Sequence, residues 1–165
     1  MRELHIPSLP GWNELPDIGL YMDQVVTYLS RTFQSTLPKG EITKAMVNNY
    51  VKFGLVARPV KKKYDRTHMA TLLILCVLKQ ALNMENIRGI LNLLFKDGIE
   101  DGYARFCSAV AVLEEAASAG EFSLQWTEET TTEQIVMMGI MAAVYTVETH
   151  WMLQRADPSP KEKTR

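Results

Sequence analysis

Hydrophobic positions recur along the chain at helical spacing in six places, separated by proline, glycine or capping residues. Val25, Val26, Leu29 and Phe33 define a first helix near residues 20–33. Thr43 caps a short second helix that ends before Gly54, with Met46, Tyr50 and Phe53 on one face and Lys44, Asn48 and Lys52 on the other. Asp65 caps an apolar helix running to about Leu82, and Asn83 opens another through Leu94. Asp97-Gly98 breaks the chain before a long helix over about 99–119, which Gly120 stops. Phe122, Leu124 and Trp126 then alternate over a loop or short strand. Thr130 and Glu133 have the spacing of a capping box for a last helix to about Arg155.

The segments outside these helices are polar or rich in proline. Pro7, Pro10 and Pro16 make residues 1–19 an extended arm, with Leu9, Trp12 and Leu15 available to pack on the body. Pro38 and Gly40 mark a loop, and residues 156–165 read as a polar tail. The stretch Leu55–Tyr64 contains Pro59 and Lys61-Lys62-Lys63 and is compatible with a small hairpin. The expected architecture is all-α with a small β-wing. Residues 1–96 hold the arm and a winged helix-turn-helix-like half; residues 97–165 hold an acidic helical half.

Charge divides the chain more sharply than its net value of −1 suggests. From Lys39 to His68 there are eight Lys or Arg and two acids, whereas from Asp97 to Gln154 there are ten acids and only Arg105. Two surfaces with different electrostatic partners are expected. Catalysis is not indicated. His5, His68 and His150 are far apart and in no metal-ligand pair, and there is no nucleophile elbow and no phosphate-binding glycine loop. Cys76 and Cys107 have no zinc-ligand spacing, and Cys76 sits in an apolar run. Free thiols, the absence of a signal-peptide pattern and an uninterrupted apolar stretch of only 13 residues (135–147) point to a cytoplasmic protein with no membrane span. No cofactor and no metal is expected.

The informative stretch is 43–64, TKAMVNNYVKFGLVARPVKKKY. Ammonium groups suit phosphates, and an asparagine amide can pair bidentately with adenine in the major groove. The candidate DNA-binding residues are Lys44, Asn48, Asn49, Lys52, Arg58, Lys61, Lys62, Lys63 and Tyr64. A solvated basic face is the plain alternative.

Asn48–Val56 (NNYVKFGLV), then Pro59 and Lys62-Lys63-Tyr64, resembles the MerR-type winged helix-turn-helix signature R-Y-Y-x-x-x-G-L-L, Pro, R-x-Y. Ala81–Leu91 (ALNMENIRGIL) is similar to the stretch that follows the wing in that family. By this resemblance Asn48 and Asn49 stand where the Arg and first Tyr would be, Tyr50 at the second Tyr, and Lys62 and Tyr64 at the wing Arg and Tyr. A larger span, Trp12 to about Leu91, resembles a bacterial family known as domain of unknown function 1836, through WNELPDIGLYMDQ, TKAMVNNYVKFGLV, PVKKKYDR and LKQALNMENI. That family brings no assigned activity. The MerR-type resemblance implies transcriptional regulation by DNA binding, as a homodimer. The alternative is a non-catalytic protein–protein interaction module using the same basic face. Met137, Met138, Met141 and Met152 with Tyr145 and Trp151 suit an effector pocket, a dimer seam or a core helix, and the all-round apolar centre of that helix favours burial on every side.

Overall fold

The computed structural model describes residues 4–38, 42–120 and 129–156. Its six α-helices are α1 Met22–Thr32, α2 Lys44–Lys52, α3 Arg66–Leu78, α4 Met84–Leu94, α5 Ile99–Ala119 and α6 Thr132–Ala156. A short 3-10 turn, Trp12–Glu14, precedes them. Among the described residues there is no sheet, only two isolated β-bridges, so the fold is all-α. The alternating segment Phe122–Trp126 and the polar tail from residue 157 lie outside the described residues.

Local chemistry sets the boundaries. The Thr43 hydroxyl accepts from the Met46 N–H, the Asp65 carboxylate from Thr67 and His68, and the Asn83 side chain from Asn86. Gly120 ends α5 with φ of +73°, a conformation that favours glycine. The cap of α6 lies one residue later than expected: Thr131 and Gln134 exchange side-chain-to-backbone bonds, at 3.2 and 3.0 Å. Arg105 engages the Glu133 carboxylate instead.

Helix α3 is the hub. All its residues from His68 to Leu78 are buried, and α5 and α6 pack against it. The sequence reading gave all-round burial to α6, and that is corrected here. Helix α6 buries Val136, Ile140, Ala143, Val144 and Val147 but leaves Met138, Tyr145, Met152 and Leu153 exposed. A length of 25 residues and an apolar composition would let α6 cross a membrane, yet one of its faces forms core with α3, α4 and α5. The regions on either side of residue 97 share a single hydrophobic cluster running from Leu15 to Val147. Cys76 lies in it, and burial pushes its thiol up to about 12.

The arm fastens the ends of the chain together. Leu15 is buried, and Leu9 and Trp12 pack on the core. The Tyr103 hydroxyl donates to the Pro10 carbonyl at 2.7 Å. Near the start of the arm, Glu148 Oε1 accepts the His5 backbone N–H at 2.5 Å and lies 2.6 Å from the ring Nδ1. The His5 ring stacks on Trp151, whose indole N–H donates to the Thr36 carbonyl. Burial alone would raise the Glu148 carboxyl; the His5 contacts and Arg155 outweigh it and hold the group below its ordinary 4.5. A carboxyl depressed in the fold contributes stability above its ordinary value, and loses it as pH falls through the depressed one. Glu148→Gln is therefore expected to lower stability at pH 7 by about 1–3 kcal/mol and to flatten the acid limb as pH falls below the ordinary 4.5. Urea unfolding over that range checks this, and an equal loss at every pH would exclude the clasp.

Candidate nucleic-acid interface

Helix α2 is held by Val47 and Tyr50, which point into the core. That orientation turns Lys44, Asn48, Asn49 and Lys52 outward, and all four are exposed. Phe53 departs from the expected apolar face: it follows the last helical residue and is 53% exposed. The C-terminal end of α2 is tied down from two sides. The Leu55 and Val56 N–H groups both donate to the Tyr50 carbonyl, and the Arg88 guanidinium on α4 donates to the carbonyl of Phe53. At the other end Lys44 pairs with Asp23 on α1, both side chains being exposed.

The hairpin expected in 55–64 is present in miniature. Val60 and Lys63 exchange backbone hydrogen bonds of 3.1 and 2.9 Å around Lys61 and Lys62, whose φ values are +50° and +64°. Two successive positive φ angles define a type I′ turn, which asparagine and glycine favour and lysine does not. The next residue, Tyr64, exchanges two 2.8 Å backbone bonds with Leu20, joining the hairpin to the entry of α1. Lys63 lies over the Tyr21 ring, 5.3 Å from its centroid. His68 braces the base: its Nδ1 lies 2.7 Å from Asp65 Oδ1 and its Nε2 3.3 Å from the Arg58 carbonyl.

Of the nine candidate residues, Arg58, Lys61, Lys62 and Lys63 join the four of α2 on the surface. Tyr64 does not. It is 3% exposed, its ring edge-on to His68, and burial raises its phenol. Its place is under the hairpin, as packing. His68, Arg88 and Tyr21 were not singled out from sequence. Only His68 left a trace there, as the residue three after the capping Asp65.

Other chemistry is sparse. No group of three His, Cys, Asp or Glu gathers to hold a metal among the described residues. A cleft of about 830 Å³ separates the arm from α1, but its Glu14 carboxylate is bound to the Gly11 N–H and its Asp23 to Lys44.

With this geometry in view, comparison with known proteins is decisive at one level. Residues 10–106 match the family described as Domain of unknown function (DUF1836). The chain belongs to this family. The match takes in α1 to α4 and the start of α5, hence both the outward face of α2 and the hairpin; α6 lies beyond it. No curated protein and no solved structure matches the chain.

Proposed function

We propose that this DUF1836 protein is a non-catalytic, cytoplasmic DNA-binding regulator of transcription that reads duplex DNA with α2 and steadies itself with the lysine hairpin. The observation carrying this reading is that one short helix, packed from behind by Val47 and Tyr50, presents two lysines and two asparagines to solvent, while the hairpin that follows it in the chain exposes three more lysines. Such a pairing of phosphate-neutralising and base-reading side chains is what duplex recognition needs. The MerR-type likeness of NNYVKFGLV and of the lysine hairpin agrees with it, although the loop at 34–41 separates α2 from the preceding helix. No cofactor is invoked.

Binding of random-sequence duplexes at increasing salt tests the proposal. Lys44→Ala with Lys52→Ala is expected to lower the log–log salt slope by about 1.8, at about 0.9 for each lost phosphate contact. Asn48→Ala and Asn49→Ala remove no charge. On sites enriched by selection they are expected to lose roughly 1–3 kcal/mol of discrimination while random-duplex affinity holds. Failure to bind any duplex at low salt overturns the reading. A second reading, an acidic protein partner on the same face, draws on Phe53 and Val60, apolar side chains exposed among the lysines. It predicts retention of acidic peptides in that event.

A further inference from the structure

Helix α2, to which the DNA reading assigns base recognition, is lightly held for such a task. It has nine residues, about two and a half turns, too few to be stable alone. Its buried residues, Val47 and Tyr50, sit one turn apart near the middle and set its depth more than its tilt. The Lys44–Asp23 pair at its start joins two exposed side chains, which salt screens. Base readout by an asparagine amide tolerates little such freedom, because a bidentate contact has to be placed to within about 0.5 Å.

The end of α2 has a firmer hold. The Phe53 carbonyl is one of the acceptors that a helix terminus leaves without a helical partner, and the Arg88 guanidinium donates to it across 35 residues of chain. A cation at that end also complements the helix dipole. The guanidinium rests beside Gly54, where a Cβ would lie 3.9 Å from Arg88 Nη1. Arg88 itself is exposed, but its helix is well seated. Ile87, Ile90, Leu91 and Leu94 bury α4 in the core that it shares with α5 and α6.

We infer that Arg88 is a positioning residue for base readout: through the Phe53 carbonyl it sets the angle at which α2 presents Asn48 and Asn49. The role rests on the DNA reading and adds to it a residue that touches neither base nor phosphate. The shape of the guanidinium matters more than its charge, because a planar fork of N–H groups fixes a direction that a lysine ammonium does not. Arg88 therefore acts on sequence choice, whereas Lys44, Lys52 and the hairpin lysines act on affinity for any duplex.

Arg88→Gln and Arg88→Lys in the full chain test this, on duplexes enriched by selection and on random ones. Both variants are expected to fold, since the side chain is exposed. Both are expected to exchange the Phe53 amide proton faster, because the last turn of α2, closed by the Phe53 N–H on the Asn49 carbonyl, loses its hold. Preference for the enriched site is expected to fall about tenfold in each, with random-duplex affinity kept and the salt slope of Arg88→Gln unchanged. Unaltered exchange at Phe53, or full discrimination in both variants, would overturn the role. So would a slope lowered by about 0.9 in Arg88→Gln with Arg88→Lys unimpaired, the mark of a phosphate contact. These outcomes leave the DNA reading standing, whereas a wild type that binds no duplex overturns that reading and this role together.

Discussion

Lys61→Asn combined with Lys62→Gly is expected to make the fold more stable and to weaken the proposed DNA binding. Both residues sit at positive φ in a two-residue turn, a conformation that costs a side-chain-bearing residue roughly 1–2 kcal/mol. Asn-Gly is the pair such a turn prefers, so the variant should gain about 1–2 kcal/mol and unfold about 2–6 °C higher. The same exchange removes two of the three hairpin charges. Two lost phosphate contacts lower the salt slope by about 1.8, equivalent to tens of fold in affinity near 0.1 M salt. Opposite signs in the two measurements separate this outcome from general damage. A more stable protein with an unaltered salt slope would take the hairpin out of the interface.

Two glycines give the second large effect, again in opposite directions. A methyl group on Gly102, in the first turn of α5, would lie 2.4 Å from the Leu94 carbonyl oxygen and 2.6 Å from Phe95 Cδ1. The Phe95 ring can turn aside but the Leu94 carbonyl is backbone, so no rotamer relieves that clash, and the α4–α5 corner must open. Gly102→Ala is expected to lose 3 kcal/mol or about that, or to fail to fold. Gly89→Ala meets nothing within 4 Å among the described residues and should gain about 0.5–1 kcal/mol from helix propensity. Both are best measured by urea unfolding. A harmless Gly102→Ala would mean that α4 and α5 meet differently.

The helices were legible because their ends are local events. Thr43, Asp65, Asn83, Gly98 and Gly120 each terminate or cap within three residues of themselves, so spacing alone located them. The outward face of α2 was legible for the same reason, given where Lys44, Asn48 and Lys52 recur. Burial was less so. Helix α3 read as apolar and α6 as apolar on every side, and only their tertiary neighbours distinguish the hub from the helix with an exposed flank. Phe53 looked like core by periodicity, yet α2 ends at Lys52 and the chain turns before Phe53 can follow the face inward. Tyr64 stood beside three lysines in the sequence, while alternation along a strand points it the other way, under the turn. Contacts that close over long separations, such as Arg88 with Phe53 or His5 with Glu148, left no local signal at all.

That last pair bears on how the protein is made. His5 emerges from the ribosome 143 residues ahead of the carboxylate that receives it. At roughly 5–20 residues per second the arm waits on the order of 7–30 s for its seat, with Leu9 and Trp12 near at hand and α6 still unmade. Helices α1 to α4 can form in that interval, and His5 meets Glu148 last. Chains stalled or cleaved before α6 would therefore display a basic head with a loose apolar leader, the species for which a newly made copy has most need of a chaperone.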